Sequence, residues 1–159
     1  MSQVPLSVAE KIRVLSICSV FARVPPASLG TLAEMMEMER LDAAEVLFEQ
    51  GEPPERIYVV ASGRLKVFVP GRPEPVRTLG AGELLGEYGM FSEHGRTATV
   101  KAEIAAVLLS LDYQRFRTFL LQFPETMLVL LKTAVQRLVE SEAKGDGGPP
   151  TSGAHWSKI

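Results

Sequence analysis

A single stretch of the sequence, from Leu84 to Val100, combines residue types that bind phosphate and sugar groups. Its glycines are Gly86, Gly89 and Gly95. Glycine lets a backbone approach a ligand closely and present its N–H groups. Arg96 and the hydroxyl of the adjacent Thr97 suit a phosphate, since arginine forms charge-assisted hydrogen bonds with phosphate oxygens. The Glu87 carboxylate is able to accept hydrogen bonds from sugar hydroxyls, so the stretch predicts a pocket for a small phosphorylated ribose.

The same residues are also compatible with a purely structural role. Glycine-rich turns between strands are common, and an arginine close in sequence to a glutamate often forms only a surface ion pair. A glycine loop is specific only in its structural context. Both interpretations therefore stay open on these residues alone.

The composition limits the class of protein. A chain of 159 residues has the size of one ordinary domain and is large enough to bury a core. Its formal charge of -2 provides no argument for nucleic-acid binding, which normally requires a basic surface. The single cysteine, Cys18, cannot form an internal disulfide, and no histidine lies near it in the sequence. We therefore expect Cys18 to be a small buried apolar residue.

No segment has the pattern of a secretion signal or of a membrane span. Residues 1–8 lack a basic stretch followed by an apolar one. The apolar runs from Ile104 to Leu111 and from Met127 to Leu131 are too short to cross a bilayer. The sequence predicts a cytoplasmic protein that does not bind a membrane.

Two helices are predicted at the start of the chain. Apolar residues recur with helical spacing from Val8 to about Ala22. Pro25 and Pro26 end this helix and begin a second one, because proline is tolerated in a first helical turn. The second helix is expected to end near Met38.

From Glu39 to Leu111 the apolar period changes to two, and glycine and proline become frequent. The predicted strand segments include Val46–Phe48, Ile57–Val60, Leu65–Val69, Val76–Leu79, Ala98–Val100 and Ala105–Leu111. Short strands at such spacing predict a compact antiparallel barrel or jelly roll.

Two further helices are predicted after the strands. Asp112 is the expected N-cap of a short helix that ends at Phe123. Pro124 begins a long helix that reaches about Lys144. Its apolar face consists of Leu128, Leu131, Val135 and Leu138, and the run from Met127 to Leu131, apolar on every side, is expected to be buried. Residues 145–159 have the composition of a flexible tail.

The order of these elements resembles the cyclic nucleotide-binding domain, a family that includes the catabolite activator protein, regulatory subunits of cyclic-nucleotide-dependent kinases and gated channels. Gly51-Glu52, Tyr58-Val59-Val60 and Ser62-Gly63-Arg64-Leu65 resemble the early strand and turn signature of the family. The segment from Gly82 to Phe91, followed by Arg96-Thr97-Ala98-Thr99-Val100, looks like its phosphate-binding cassette. The likeness covers about residues 12–144.

The resemblance implies an α+β fold, in which an antiparallel eight-stranded β-roll, jelly-roll-like, lies between N-terminal helices and two C-terminal helices. Residues 1–144 would form one cyclic nucleotide-binding domain. Within it, residues 8–38 would form the N-terminal helices, residues 39–111 the β-roll and residues 112–144 the C-terminal helices, the last of them long.

The resemblance also assigns roles to individual residues. Arg96 would bind the charged phosphate oxygen, and Thr97 would add a hydroxyl bond to the phosphate or the base. Glu87 would accept a hydrogen bond from the ribose 2′-hydroxyl. Backbone N–H groups around Gly86, Glu87 and Ala98 would complete the cradle, so the expected ligand is cAMP or cGMP, with no metal and no other cofactor.

Other positions match the family pattern less specifically. The apolar residues that would flank sugar and base are Val67, Val76, Leu84 and Leu85, and plain core packing would explain them equally well. Tyr88 stands where the family more often has an aliphatic residue. It would either reach toward the mouth of the pocket and contact the ligand or pack outward, and we favour outward packing. Ser141 and Glu142 fall where related domains close the base side, although both also suit a solvated helix end.

The resemblance implies a non-catalytic sensor whose final helices move when a cyclic nucleotide binds. Only a glycine- and proline-rich tail follows Lys144, so we expect no DNA binding and an output in trans, either in a homodimer formed through the long helix or on another protein. One alternative is a scaffold whose pocket no longer takes a nucleotide. Another is a metal enzyme, which clustered histidines would favour, but the sequence has only His94 and His155.

Overall fold

The computed structural model describes residues 4–91 and 95–143, with the backbone alone for residues 141–143. The helices are α1 (Val8–Ile17), α2 (Pro26–Met35), α3 (Tyr113–Gln122) and α4 (Pro124–Ala143), with 3₁₀ turns at Ser19–Phe21 and Glu87–Met90. The strands are β1 (Glu37–Leu41), β2 (Val46–Phe48), β3 (Arg56–Phe68), β4 (Arg77–Leu79), β5 (Leu84–Leu85) and β6 (Thr99–Asp112). Helices at both ends flank the strands, as predicted.

The first helix begins with a capping box and ends earlier than predicted. The Ser7 hydroxyl accepts from the Glu10 N–H at 3.1 Å, and the Glu10 carboxylate accepts from the Ser7 N–H at 2.9 Å. The helix stops at Ile17 instead of continuing to Ala22, because Cys18 adopts an extended backbone with ψ of 120°. The chain then forms the 3₁₀ turn at Ser19–Phe21, which buries its last two side chains.

The second helix also ends before the predicted residue. Pro26 occupies its first turn, as expected. Met36 has an extended backbone with ψ of 138°. The next residues, from Glu37 onward, pair with β6 and form β1, so residues as far as Met38 belong to the sheet.

The strands form one antiparallel sheet, in the order β1-β6-β3-β4, with β2 paired to β6 and β5 paired to β3. This confirms the predicted fold class. The described residues contain six strands instead of eight, because β3 joins the segments Ile57–Val60 and Leu65–Val69 that were predicted as separate strands. In the same way β6 joins Ala98–Val100 and Ala105–Leu111 into one strand that begins at Thr99.

Gly63 explains why β3 remains continuous through a segment that looked like a turn. Its φ is +90°, a conformation that glycine adopts without steric cost. A Cβ at this position would lie 2.4 Å from the carbonyl oxygen of Ala105. The register between β3 and β6 shifts at this point. Glycine therefore lets the two long strands stay in contact across an irregularity.

Buried apolar side chains form two clusters, one on each side of the sheet's two long strands. One cluster joins the helices to the sheet, and in it Phe21 contacts the rings of Phe116 and Phe119 edge to face, with centroids 6.4 Å and 5.9 Å away. The other fills the inside of the β-roll and includes Phe48, Tyr58, Val67, Leu85 and Ala98. The β-roll and the helices thus have separate cores that share β3, β5 and β6.

The C-terminal helices begin where the sequence predicts. Asp112 caps α3, since its carboxylate accepts from the Arg115 N–H at 3.1 Å. Pro124 begins α4 directly after α3 ends at Gln122. Within the described residues no single helix is both long enough and apolar enough to cross a membrane; α3 and α4 meet that test only as a pair bent by 111°.

One face of α4 differs from the prediction. Leu130 is 5% exposed, but its neighbour Leu131 is 59% exposed and Leu128 is 56% exposed. Met127 is also exposed. The expectation that the whole run from Met127 to Leu131 is buried was therefore wrong, because α4 packs on the domain through a narrow stripe and leaves its broad apolar face toward solvent.

Candidate functional site

The glycine-rich stretch forms a compact turn after β5. Gly86 has φ of +88° and precedes the 3₁₀ turn at Glu87–Met90. A Cβ on Gly86 would lie 2.9 Å from the Arg56 carbonyl oxygen and 3.0 Å from Nη1 of Arg96. Only glycine fits here, and the close approach brings the Gly86 carbonyl against the arginine. We call residues Leu84–Phe91 together with Gly95–Ala98 the cassette.

Arg96 is buried in the cassette and is 6% exposed. Its guanidinium donates to the carbonyl of Gly86 at 3.3 Å and to the carbonyl of Arg56 at 2.9 Å. It also donates to the Tyr113 hydroxyl at 3.1 Å and lies 4.1 Å from the centre of the Phe48 ring. All of these partners are neutral. Among the described side chains no carboxylate lies within ion-pair distance of Arg96.

Tyr113, the first residue of α3, joins the cassette to the helices. Its hydroxyl donates to the Gly86 carbonyl and accepts from Arg96. Burial raises the pKa of Tyr113 to about 12, although the charge of Arg96 opposes this shift. The tyrosine therefore stays protonated and keeps its donor at neutral pH. Sequence reasoning did not single out Tyr113, because a tyrosine in a first helical turn has no distinctive spacing to the cassette.

A small cleft lies beside Arg96 and has a volume of about 20 Å³. Its lining consists of Phe48, Gly86, Tyr88, Gly89, Gly95, Arg96, Thr97 and Ala98. This volume holds about one water molecule. Four of the five principal predicted site residues, Gly86, Arg96, Thr97 and Ala98, thus come together in one place. We call this volume the arginine cleft.

Glu87, the fifth predicted site residue, is only 2% exposed. Its Oε1 atom has no hydrogen-bond partner among the described residues. Its Oε2 atom lies 4.0 Å from Nη1 of Arg137. Burial raises the pKa of Glu87, and Arg137 opposes that shift. Glu87 forms no ion pair with Arg96. The alternative that these two residues only pair with each other on the surface is therefore wrong.

Glu87 borders a second and larger cavity, of about 300 Å³, between the cassette, the first 3₁₀ turn and α4. We call it the helix-facing cavity. Its lining consists of Ile17, Cys18, Ser19, Val20, Arg77, Ala81, Gly82, Glu83, Leu84, Glu87, Thr133 and Arg137. The volume is at the lower end of the ~300–1,000 Å³ that small-molecule sites occupy. Gly86 and Glu87 are consecutive, so the two cavities are neighbours.

Arg77 enters the helix-facing cavity from β4. Its Nη2 atom lies 3.4 Å from Oε2 of Glu83, and Oε1 of Glu83 accepts from the Gly80 N–H at 3.1 Å. Burial lowers the pKa of Arg77, and the charge of Arg137 adds to this effect. Two arginines thus face one cavity.

Arg137 connects α4 to the cassette. Its Nη1 atom donates to the Tyr88 hydroxyl at 3.3 Å, and the guanidinium lies 5.8 Å from the centre of the Tyr88 ring. Burial raises the pKa of Tyr88. We favoured outward packing of Tyr88 over a position at the pocket mouth, but the side chain is half-buried and lines the arginine cleft. That expectation was wrong, because Arg137 holds the tyrosine at the cassette.

Arg137 could have been found from helical spacing. Thr126, Leu130, Thr133 and Arg137 follow one another at steps of four, three and four residues and lie on one face of α4. Thr126 and Leu130 are buried on that face. We expected the buried face of α4 to contain Leu128, Leu131, Val135 and Leu138, so the stripe that includes Arg137 did not look like the inner one.

Cys18 is buried as predicted and is 1% exposed. Burial raises the pKa of its thiol to about 11. The thiol is therefore protonated at neutral pH and a poor nucleophile, although it borders the helix-facing cavity.

The remaining predicted site residues are dispersed. Leu84 lines the helix-facing cavity. Val67 and Leu85 belong to the β-roll core and line neither cavity, and Val76 is 36% exposed just before β4. The side chains of Ser141 and Glu142 lie outside the described part of the chain, as do His94 and His155. Residues 4–91 and 95–143 hold no group of three or more His, Cys, Asp or Glu arranged to bind a metal.

Residues 38–123 match the family model of the cyclic nucleotide-binding domain, and the chain therefore belongs to that family. The match covers the sheet, the cassette and α3. It confirms the family that the sequence motifs indicated.

Named proteins of several kinds are similar to this chain. A CRP-like cAMP-activated global transcriptional regulator of Mycobacterium tuberculosis is 28% identical over 130 residues, which are 79% of this chain and 57% of the relative. A cyclic nucleotide-gated potassium channel of Mesorhizobium japonicum is 32% identical over 118 residues, 74% of this chain and 32% of the channel. The catabolite activator protein of Thermus thermophilus superimposes with a TM-score of 0.73 at 25% identity, covering 80% of this chain and 61% of that one.

The chain thus spans 57% of the regulator and 32% of the channel. The shared part contains the cyclic nucleotide-binding domain, and the relatives that match it include a transcriptional regulator and a potassium channel. The expectation that this protein does not bind DNA gains no support from them, because the first relative is a transcriptional regulator. That expectation stays a prediction.

Proposed function

We propose that this chain is a non-catalytic, cytoplasmic sensor in which cAMP or cGMP binds to the cassette and changes the position of α3 and α4. The nucleotide phosphate is assigned to Arg96 and the Thr97 hydroxyl, with backbone N–H groups around Gly86, Glu87 and Ala98. The ribose 2′-hydroxyl is assigned to Glu87. Residues 1–144 form the sensing unit in this proposal.

The buried carboxylate of Glu87 is the observation on which the proposal rests most heavily. A buried acceptor without a partner costs about 1–3 kcal/mol, and more when it is charged. The chain retains such an acceptor in the cassette, where Oε1 has no partner among the described residues. Glu87 lines the helix-facing cavity, so a ligand hydroxyl that displaces the groups covering Oε1 would satisfy this oxygen.

The surroundings of Arg96 support the phosphate assignment. The guanidinium is buried, and its described partners are two carbonyls, a hydroxyl and a ring. None of them neutralises its charge. An anionic phosphate would do so, and an arginine fork matches phosphate oxygens better than a lysine ammonium does. Because the arginine cleft has a volume of only about 20 Å³, Arg96 must exchange bonds with the protein for bonds with the ligand.

This exchange suggests how binding reaches the helices. Tyr113 of α3 is bonded to Arg96 and Gly86, and Arg137 of α4 is bonded to Tyr88 and lies near Glu87. A ligand that binds Arg96 and Glu87 would compete with these contacts, which hold α3 and α4 in their present position. The ligand would therefore bind more tightly when the helices have moved away. A ligand shifts a conformational equilibrium only through such a difference in affinity.

A second copy of the chain is the proposed partner of α4. The exposed apolar side chains of the two last helices are Leu121, Met127, Leu128, Leu131, Val135 and Val139. Leu128, Leu131 and Val135 are three and four residues apart, a spacing that suits a two-helix seam. Size-exclusion chromatography with light scattering is expected to find a dimer, and Leu131→Glu a monomer. A monomeric wild type would favour an output on another protein.

Titration calorimetry with cAMP and cGMP tests the central proposal. We expect the wild type to bind at least one of them and Arg96→Ala to bind it about 10- to 100-fold more weakly, since a charge-assisted bond contributes about 1.5–3 kcal/mol. Arg96→Lys is also expected to bind more weakly, because lysine lacks the planar fork. Arg64→Ala is the matched control. Arg64 pairs with Glu103 on the surface and lines neither cavity, so its loss should leave binding unchanged.

The small volume of the arginine cleft favours one alternative, a scaffold that no longer takes a nucleotide. In that case Arg96 would serve only to hold Gly86, Arg56 and Tyr113 together. The absence of heat with either nucleotide, together with no change on replacement of Arg96, would support the scaffold.

A further inference from the structure

One nitrogen of Arg137 lies between two acceptors of the cassette. Its Nη1 atom is 3.3 Å from the Tyr88 hydroxyl and 4.0 Å from Oε2 of Glu87. The first distance is long for a hydrogen bond, whose usual N···O separation is about 2.9 Å, and the second is too long for one. A shift of the guanidinium by about 1 Å would complete the contact with Glu87. The guanidinium can therefore move toward either acceptor.

The charge of Glu87 decides which partner binds Arg137 more strongly. Hydrogen bonds that involve ionised groups are shorter and about twice as strong as bonds between neutral groups. An ionised Glu87 would therefore draw Arg137 away from the neutral hydroxyl of Tyr88. With Glu87 protonated the tyrosine is the better partner, because its ring also lies 5.8 Å from the guanidinium.

Side chains from every element packed against Glu87 face its carboxyl group. Among the described residues the titratable and charged ones are Cys18 of the first 3₁₀ turn, Arg77 of β4, Glu83 of the turn before β5, Tyr88 and Arg96 of the cassette, Tyr113 of α3 and Arg137 of α4. Burial raises the pKa of Cys18 to about 11 and that of Tyr113 to about 12, and it also raises the pKa of Tyr88, so these three are neutral at neutral pH. The arginines stay charged, and Glu83 is already paired with Arg77.

Glu87 itself is subject to opposing effects. Burial disfavours its charged form and raises its pKa, while Arg137, Arg77 and Arg96 favour the charged form. Its Oε1 atom has no hydrogen-bond partner among the described residues that would fix either form. Glu87 lines the helix-facing cavity, which is polar and has room for water, so a proton can leave the carboxyl group and return to it.

We propose that Glu87 and Arg137 form a pH-sensitive switch between the cassette and α4. With Glu87 protonated, Arg137 donates to Tyr88, as in the structure. When the pH rises and the carboxyl group loses its proton to water, Arg137 moves to Oε2 of Glu87 and its bond to Tyr88 weakens. Because Arg137 belongs to α4, the helix moves with it. This inference goes beyond the proposed function, since the switch needs no ligand.

Double-mutant cycles on the full chain without nucleotide test the switch. Urea unfolding of the wild type, Glu87→Gln, Arg137→Met and the double variant gives the coupling between the two side chains. We expect little coupling at pH 4.5, the ordinary pKa of the carboxyl group. At about pH 8 we expect a coupling of about 5- to 30-fold in the unfolding equilibrium constant. A cycle of Tyr88→Phe with Arg137→Met is expected to show the opposite trend.

Arg64→Met is the matched control for Arg137→Met. Arg64 pairs with Glu103 on the surface and lines neither cavity. A cycle of Arg64→Met with Glu87→Gln is therefore expected to show no coupling at either pH.

Carbon-13 NMR of the wild type and of Glu87→Gln gives a measurement that needs no substitution of Arg137. The carboxyl resonance of Glu87 reports its own ionisation, and the ring Cζ resonance of Tyr88 reports the bond to its hydroxyl. We expect the two resonances of the wild type to shift with the same midpoint as the pH rises. In Glu87→Gln the Tyr88 resonance is expected to stay constant over that range.

Two results would overturn the switch. One is a Glu87–Arg137 coupling that is equal at both pH values. The other is a Tyr88–Arg137 coupling that does not fall as the first coupling rises. Either result leaves the sensor proposal standing, because no nucleotide is present in these experiments. Conversely, a chain that binds neither cAMP nor cGMP can still show the switch.

Discussion

Tyr88 and Arg137 join the cassette to the last helix through a hydrogen bond of 3.3 Å from the arginine Nη1 to the tyrosine hydroxyl. The same Nη1 atom lies 4.0 Å from Oε2 of Glu87. One side chain of α4 therefore contacts both residues that follow Gly86. A movement of Glu87 or Tyr88 in the cassette therefore changes a direct contact of α4.

Tyr88→Phe tests this contact, because it removes the hydroxyl and keeps the ring against Arg137. We expect a loss of about 1 kcal/mol in the free energy of unfolding, which corresponds to a melting temperature lower by about 2–4 °C. Amide hydrogen exchange in α4 should also respond less to added nucleotide than in the wild type. An undiminished response of α4 would show that the Tyr88 hydroxyl does not transmit binding.

Tyr113→Phe is expected to raise nucleotide affinity while it lowers stability. The hydroxyl of Tyr113 accepts from Arg96 and donates to Gly86. Without it the folded protein loses about 1 kcal/mol of stability, and Arg96 gives up one fewer bond when it turns to a phosphate. Urea unfolding and calorimetry on the same samples measure the two effects. Weaker binding in this variant would indicate that Tyr113 orients Arg96 for the ligand instead of competing with it.

Glu87→Gln is expected to change the pH dependence of stability. Burial raises the pKa of Glu87 above its ordinary value of 4.5, so the folded protein holds this proton more tightly than the unfolded chain does. The contribution of Glu87 to stability is present at low pH and is lost as the pH rises above 4.5 through the folded-state pKa.

Urea unfolding of the unliganded protein between pH 4.5 and about pH 8 measures this effect. Relative to the wild type, the glutamine variant should become steadily more stable as the pH rises, because glutamine has no proton to lose. It should also bind the nucleotide more weakly, since glutamine is a poorer acceptor for a ribose hydroxyl. A stability difference that is constant with pH would contradict the raised pKa.

Gly86→Ala is expected to destabilise the protein by about 1–3 kcal/mol and to abolish nucleotide binding. The added Cβ would lie 2.9 Å from the Arg56 carbonyl oxygen and 3.0 Å from Nη1 of Arg96. Gly71→Ala is the matched control, because Gly71 has a similar φ of +82° and no atom within 4 Å of its added Cβ. Equal effects of the two substitutions would mean that backbone strain alone, and not the close approach to Arg96, explains the requirement for glycine.

Local signals in the sequence predicted much of the fold. The proline at Pro26 and the N-cap at Asp112 each mark a helix start that the structure confirms. Proline acts through its own backbone geometry, and the N-cap aspartate acts through a hydrogen bond to the N–H three residues later. Both effects can therefore be predicted without knowledge of the tertiary structure. The family pattern named Gly86, Arg96, Thr97 and Ala98 together, and the structure brings them into the lining of the arginine cleft. Their role in binding a ligand stays a prediction.

The features that the sequence did not reveal depend on contacts between distant segments. Cys18 ends α1 by taking an extended conformation in a buried position. Gly63 lies in a segment whose sequence pattern is typical of a turn, but the residue belongs to β3. There β6 passes so close to it that a Cβ would not fit. Arg77 and Arg137 are separated along the chain and meet only in the folded helix-facing cavity. Charged residues of this kind look like ordinary surface residues until a neighbouring element covers them.

The separation of α4 into an inner and an outer stripe has a geometric consequence. Leu130 is 5% exposed and Leu131 is 59% exposed, although they are adjacent, because successive residues of an α-helix point about 100° apart. The helix is stiff, so a rotation of α4 about its axis at Arg137 also rotates Leu128 and Leu131. A rotation of about 20° moves a side chain lying ~5 Å from the axis by about 2 Å. Ligand binding would then set the angle at which the outer leucines meet a second copy, while the area they expose stays the same.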